Sequence, residues 1–263
     1  MVFGSDMLDD LNVRLLTMDR PGIGDSTPDD GRTLASTAED YRAFVAGVLG
    51  EENTVVPVVA NSQGAVFGLK LAAAAGAESL TLVSPADELA HPAIHAMLPA
   101  EATSLADLAL SAPELAAEVL SGFSAQAMQE MVVLSSHPAD AAFYTAPPFR
   151  ALYRRALDEG FAHGGVGYVR DTMIAMRPWE IDLTEIRCPV RILFGAHDRG
   201  HSPDLGETLA GRIPNATRTV IDGAGGAALW THSRLVLDGV LSADRPVMTP
   251  ETPVSPASDE QER

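Results

Sequence analysis

Short apolar runs alternate with amphipathic stretches over both ends of the chain. The runs predict five strands, at residues 13–19, 54–60, 79–84, 190–195 and 217–221. Residues 54–60 are apolar on both faces, as expected of a central strand in a parallel sheet covered by helices. Pro57 cannot donate a ladder hydrogen bond, so a local irregularity is expected there. The alternation predicts an α/β fold with a mostly parallel sheet.

Helix signals lie between these runs. Ser36 and Glu39 have the spacing of a capping box, and apolar residues follow at helical spacing. Ser202, with Pro203 at the next position, predicts another helix start. A closing helix is expected over residues 228–241.

The middle of the chain, residues 87–178, has a different character. It is rich in Ala, Leu and Met and lacks strand signals, and Ser111 with Glu114 has capping-box spacing. These features predict several short helices that form an inserted lid. The last residues are rich in Pro, Ser, Thr and Glu without periodicity, which indicates disorder. The predicted organisation is therefore a core (residues 1–86 and 179–241), a helical lid (87–178) and a disordered tail (242–263).

Composition and charge restrict the classes of partner. The 263 residues are 46% apolar, enough for a full hydrophobic core, and the formal net charge is −18. An acidic chain is a poor match for nucleic acid or an anionic membrane, because both are polyanions. A small-molecule substrate or ligand is the expected partner. No pattern indicates the oligomeric state.

Neither a signal-peptide pattern nor a membrane-spanning apolar run occurs, so a cytoplasmic location is expected. The single cysteine, Cys188, cannot form an internal disulfide and is interpreted as a small buried residue. No pair of histidines has metal-ligand spacing with a carboxylate partner. Neither a metal nor a cofactor is expected.

The chemistry is concentrated at the end of the second predicted strand. There Ser62 lies in a turn of small residues, and a helix-forming run over residues 65–75 follows at once. This is the pattern of a nucleophile elbow, a sharp strand-to-helix turn that exposes a serine. Gly64 fits the G-x-S-x-G pattern, and Ala60 stands where that pattern has its first glycine.

Four motifs in order resemble the α/β-hydrolase superfamily, over nearly the whole chain. They are the D-R-P-G-x-G-x-S turn at residues 19–26, the Ser62 elbow, the G-x-x-D segment ending at Asp198, and the strand and loop at residues 220–225. Residues 177–183, ahead of Cys188 and Pro189, also resemble the segment that links lid and core in bacterial members with a helical lid.

The resemblance implies an α/β-hydrolase fold and acyl transfer. By resemblance Ser62 is the nucleophile, Asp198 is the acid that orients a histidine, and the backbone N–H of Gln63 is one oxyanion donor. The alternative for Ser62 is a small residue in a tight turn. The alternative for Asp198 is a loop-capping aspartate.

One departure from the family is the histidine. In the family it follows the loop glycine, but here Gly226 takes its place. Without a base a serine is a poor nucleophile at neutral pH. His232 is the candidate displaced base, and the alternative is a surface or helix-packing histidine. His197 and His201 flank Asp198, and two alternatives apply to them: they reach the cleft from that side, or they are exposed loop residues, which is the favoured expectation.

A second departure lies at the start. The family has a strand that ends in an H-G loop, and this loop donates the other oxyanion N–H. In the family's sheet that strand lies between the strands that correspond to residues 13–19 and 54–60. Only about a dozen residues precede Val13, and they contain no H-G. The expectation is an N-terminally truncated sheet or one that closes differently, with residues 1–5 as a remnant of the loop.

Two functions follow. The first is a serine hydrolase that cleaves a small, partly apolar ester or amide, with a site whose activity the missing histidine leaves open. The second is a non-catalytic protein of the same fold that binds a small apolar ligand or a protein partner. A dehydrogenase is disfavoured because residues 22–24 and 164–167 lack a G-x-G-x-x-G between strand and helix. An aspartate-nucleophile hydrolase is disfavoured because the elbow holds Ser62.

Overall fold

The computed structural model describes residues 3–242, and four parallel strands form one sheet there. The strands pair in chain order: β1 (Val56–Ser62), β2 (Ala77–Pro85), β3 (Val190–Gly195) and β4 (Ala216–Ile221). The predicted α/β architecture with a parallel sheet is confirmed. The register between β1 and β2 shifts between Val56 and Val58, so the irregularity expected at Pro57 is present. The predicted tail beyond Ser242 lies outside the described residues.

Helices cover the sheet and fill the segment between β2 and β3. Two helices flank β1, namely α1 (Leu34–Leu49) and α2 (Ala65–Ala73). Between β2 and β3 lie α3 (Pro92–His95), α4 (Ala100–Ser111), α5 (Pro113–Ser121), α6 (Ala125–Ser135), α7 (Pro138–Thr145), α8 (Pro147–Gly160) and α9 (Val166–Met176), followed by a 3₁₀ turn at Leu183–Glu185. The last helices are α10 (Glu207–Gly211), α11 (Ala228–Thr231) and α12 (Ser233–Ser242). Residues 86–189, called the helical insert below, contain no strand.

The two faces of the sheet bury separate apolar clusters. On one face α2 packs with Phe67 and Leu69 against Leu80 and Ile192, all almost fully buried. The other face carries a smaller cluster of Phe3, Val83, Leu193, Ala228, Leu229, Val236 and Leu237. Full burial of each large side chain is worth roughly 1.5–3 kcal/mol, so the helices are held to the sheet mainly by this burial.

The strand predicted at residues 13–19 is wrong. These residues form no ladder, and β1 is the edge of the sheet within the described residues. Apolar content alone does not make a strand, since a strand also needs a hydrogen-bonding partner. Val13 and Leu15 instead pack against the cluster that contains Phe3. The neighbouring Gly4 lies against side chains of α12.

Three predicted helix signals are also wrong in detail. The N-cap of α1 is Thr33, whose hydroxyl accepts from the Ser36 N–H at 3.1 Å, so Glu39 is not part of the capping box. Ser111 is the last residue of α4, and it starts no helix. Ser202 does not start a helix either. The helix α10 begins only after Gly206, whose φ is +78°.

An ion cluster ties the helical insert to the core. Asp171 on α9 accepts from Arg20 at 2.6 and 2.8 Å and also pairs with Arg32. Burial alone would lower the pKa of Arg20, but the charges and hydrogen bonds of Asp171 and Tyr41 together outweigh burial and raise this pKa. The Arg20 guanidinium also lies 4.5 Å above the ring of Phe67 on α2. The cluster therefore joins α9 to the helix that follows the elbow.

Asp171→Ala is expected to lower the free energy of unfolding by about 3–5 kcal/mol, because it leaves the buried Arg32 without an anion. Urea unfolding at constant pH measures the loss. Asp158→Ala is the control, since Asp158 is 54% exposed and its pair with Arg154 is worth about 1 kcal/mol or less. Equal losses in the two variants would contradict a special role for the buried cluster.

Candidate active site

Ser62 ends β1 in the strained backbone of an elbow. Its φ is +53°, a region that costs a non-glycine residue free energy and that is concentrated at functional sites. A Cβ on Gly64 would lie 2.9 Å from the carbonyl oxygen of Asn61, so the turn requires glycine there. A Cβ on Gly68 of α2 would lie 2.8 Å from the Cβ of Ala60. Gly68 therefore supplies the room that Ala60 needs where the pattern has its first glycine.

Ser62, His201 and Asp198 form a continuous hydrogen-bonded relay. His201 Nε2 lies 3.0 Å from Ser62 Oγ, and His201 Nδ1 lies 3.0 Å from each Asp198 carboxylate oxygen. A carboxylate only accepts, so Nδ1 carries the proton and Nε2 is free to accept from Ser62. This is the geometry of a nucleophile, a base and an orienting acid.

The expectation that His201 is an exposed loop residue is wrong. Its side chain is only 23% exposed, and Asp198 beside it is 2% exposed. After β3 the loop folds back on itself, with Asp198 N–H donating to Gly195 O at 3.0 Å and Gly200 N–H donating to Asp198 Oδ1 at 3.1 Å. This turn places the imidazole ring of His201, three residues after Asp198, against the Asp198 carboxylate.

The surroundings keep Asp198 ionised. Burial alone would raise the pKa of this carboxyl, but the hydrogen bond and the charge attraction of His201 outweigh it, so the pKa lies below its ordinary value. Asp198 is therefore a carboxylate at every pH at which an imidazole titrates.

Gly226 leaves room for the His201 ring. A Cβ at Gly226 would lie 3.1 Å from His201 Cε1, 3.3 Å from Nδ1 and 3.6 Å from Asp198 Oδ1. The position where the family has its histidine thus faces the same space beside Asp198 that His201 occupies. A histidine from the loop after β3 fills this space, and the glycine after β4 makes that possible.

The structure does not bring His232 into this relay. His232 lies between α11 and α12, where the predicted closing helix is broken. Its Nδ1 contacts Thr231 Oγ1 at 2.9 Å, and its carbonyl accepts from Val236 N–H. His197 is exposed and stacks on His137, the N-cap of α7, with ring centroids 4.2 Å apart. The only sequence signal for His201 is its nearness to Asp198, and that signal is weak.

Gln63 connects the elbow to the helical insert. Its side-chain Nε2 donates to Thr172 Oγ1 on α9 at 2.9 Å, and that hydroxyl donates to Tyr168 O at 2.8 Å. The Gln63 backbone N–H follows Ser62 directly, ahead of α2. A fixed side chain holds this peptide group in place beside the nucleophile.

Four aromatic side chains form a cluster that is called the aromatic wall below. It is formed by Tyr144, Phe149, Tyr153 and Trp230, from α7, α8 and α11, with ring centroids 5.2–6.1 Å apart. Burial raises the pKa of Tyr153 to about 12. Burial also raises the pKa of Tyr144, and the negative charges of Asp140 and Asp198 add to the effect. Trp230 of the wall follows Gly226 by four residues, and a Cβ at Gly226 would lie 3.6 Å from Asp198 Oδ1.

Within residues 3–242, no three His, Cys, Asp or Glu side chains are grouped to hold a metal ion. No helix in that part of the chain has the length and apolar character needed to cross a bilayer.

The match to a family model defines the class of this protein. The model of the alpha/beta hydrolase family matches residues 4–241, nearly all of the chain, and the chain belongs to that family. No curated protein sequence matches the chain.

Solved structures share its fold at low sequence identity. A bromoperoxidase from Bacillus anthracis has a TM-score of 0.64 and 18% identity, with 90% of this chain and 84% of that chain covered. An enol-lactonase from Burkholderia xenovorans LB400 has a TM-score of 0.58 and 18% identity, covering 86% and 78%. A thermophilic esterase from Thermogutta terrifontis has the same values. These TM-scores show a common fold, and an identity of 18% says nothing about the substrate of this chain.

Proposed function

We propose that this protein is a serine hydrolase that cleaves acyl esters with Ser62 as nucleophile, His201 as base and Asp198 as acid. The observation that carries the proposal is the bridging position of His201, 3.0 Å from Ser62 Oγ on one side and 3.0 Å from Asp198 on the other. A serine becomes a useful nucleophile when an oriented base lies within hydrogen-bond reach.

In the proposed mechanism Ser62 Oγ attacks the ester carbonyl carbon while its proton passes to His201 Nε2. The resulting imidazolium is stabilised by the Asp198 carboxylate, and the Gln63 backbone N–H donates to the oxyanion. The tetrahedral intermediate collapses as the imidazolium returns the proton to the leaving alkoxide, which departs as an alcohol. Water, deprotonated by His201, then hydrolyses the acyl-enzyme and releases a carboxylic acid.

The proposed substrate is a small, partly apolar ester. The aromatic wall of Tyr144, Phe149, Tyr153 and Trp230 supports an apolar acyl or alcohol group, because Trp230 follows four residues after Gly226, the position that faces Asp198. The esterase and the enol-lactonase of the same fold agree with cleavage of an acyl C–O bond.

The non-catalytic alternative rests on Gly226 and on the missing H-G loop. The position of His201 within hydrogen-bond reach of Ser62 counts against the first of these grounds. A folded native chain that takes no label in the test below would favour the alternative.

Covalent labelling with a fluorophosphonate probe tests the proposal. The expected result is one label on the peptide that contains Ser62, found by mass spectrometry, and its loss in Ser62→Ala. Ser104→Ala on the exposed side of α4 is the control and should label like the native chain. A folded native chain that takes no label, or a label that persists in Ser62→Ala, would refute the proposed function.

A further inference from the structure

The base of the relay is carried by an irregular loop. Residues 199–206 contain neither helix nor strand, and Leu205 and Gly206 both have positive φ, +55° and +78°. The His201 ring stays 3.0 Å from Ser62 Oγ only if the backbone of His201 is fixed by contacts with residues outside this loop.

Asp87, just after β2, makes those contacts. Its backbone N–H donates to the His201 carbonyl at 3.1 Å. Its Oδ2 accepts from the Ser202 hydroxyl at 3.0 Å, and its Oδ1 accepts from Glu88 N–H at 2.8 Å. Asp87 is 2% exposed and Ser202 3%, so these bonds are shielded from competition by water.

Ser202 connects Asp87 to the rest of the loop by further hydrogen bonds. Its hydroxyl also lies 2.9 Å from Asp204 Oδ1, and it accepts from Gly206 N–H at 3.2 Å. Asp87 thus holds the loop at His201 through its backbone N–H and at Ser202 through its carboxylate, and Ser202 in turn holds Gly206. Burial raises the pKa of Asp87, so keeping this carboxylate here has an energetic cost.

Resting on the proposed hydrolase function, we propose that Asp87 is a positioning residue for the reaction: it holds the His201 loop so that Nε2 stays in line with Ser62. Asp87 touches neither the substrate nor the imidazole ring. It acts through the backbone of His201 and the side chain of Ser202.

The test combines kinetics with NMR on Asp87→Ala, Ser202→Ala, their double variant and Asp87→Asn. Asp87→Ala is expected to lower kcat on a p-nitrophenyl ester about 10- to 100-fold with little change in KM, because misplacing a base by about 1 Å can cost this much. The double variant should be no worse than the more damaged single variant, since both changes break the same connection. Asp87→Asn keeps the shape and one acceptor, so it should recover part of the rate.

The matched control is Glu88→Gln. Glu88 is also buried, but its carboxylate accepts from Trp179 N–H at 2.6 Å and from Arg212 at 2.5 Å, and neither partner belongs to residues 199–206. This variant should lose thermal stability with kcat unchanged per folded molecule.

The low-field NMR proton on His201 Nδ1, assigned by its loss in His201→Gln, provides a readout that needs no turnover. It should be sharp in the native chain and in Glu88→Gln, and broadened or lost in Asp87→Ala and Ser202→Ala. An unchanged signal in folded Asp87→Ala, or the same broadening in Glu88→Gln, overturns the positioning role. Failure of the hydrolase function appears separately, as a native chain that shows this proton but takes no fluorophosphonate label.

Discussion

Replacing His201 by alanine should lower kcat/KM for a simple ester by on the order of 10⁴–10⁶-fold and abolish fluorophosphonate labelling of Ser62. His201 Nε2 is the group found 3.0 Å from Ser62 Oγ, so its removal leaves the serine without a base. Rates with a p-nitrophenyl ester, measured on protein shown to be folded by circular dichroism, give the size of the loss.

The controls are the two other candidate histidines. His232→Ala and His197→Ala should each stay within a few-fold of the native rate, since His232 bonds to Thr231 and His197 stacks on His137. A large loss in His232→Ala together with a small one in His201→Ala would restore His232 as the base and contradict the relay.

The pH dependence gives an independent check on the same histidine. The imidazole must be neutral to accept the serine proton, so kcat/KM should rise with pH along a limb of unit slope. Asp198 adds no second ionisation to this limb, because its pKa is lowered below that of an ordinary carboxyl. The stabilisation linked to Asp198 is complete above the ordinary carboxyl pKa and is lost as pH falls through its lowered pKa. A limb of slope two would contradict this assignment.

Gly226→His should reduce activity by about 100-fold or more, although it puts a histidine where the family has one. The new Cβ would lie 3.1 Å from His201 Cε1, and a whole imidazole cannot share that space, so His201 is pushed away from Ser62. Gly226→Ala should show a smaller loss in the same direction. Steady-state kinetics on both variants measures the series.

The double variant His201→Ala with Gly226→His separates crowding from loss of the base. Removing the His201 ring empties the space beside Asp198, and a Cβ at position 226 would lie 3.6 Å from Asp198 Oδ1. Activity should therefore exceed that of His201→Ala alone. If Gly226→His by itself raised the rate above native, the conclusion that the two positions share one space would be wrong.

Local sequence determined the fold class and two members of the candidate site. The run at 190–195 predicted β3 with its observed bounds, because an apolar run between polar flanks needs no distant information to be recognised. The Ser62 elbow was predictable for the same reason: its strain requires small neighbours such as Gly64 within a few residues. Asp198 followed from its place after a strand.

The tertiary structure alone brought His201, the proposed base, to Ser62. His201 and Ser62 are 139 residues apart, and no local pattern records that the loop after β3 turns back toward β1. In the sequence Gly226 indicated that a histidine had been lost. In the structure the absence of a side chain at Gly226 leaves the space that the His201 ring occupies. The strand predicted at residues 13–19 was wrong for the same reason. A strand exists only when another strand lies beside it, and the local sequence does not show whether one does. Residue type and short-range spacing thus specify turns and strands, while contacts between distant segments decide which side chains meet.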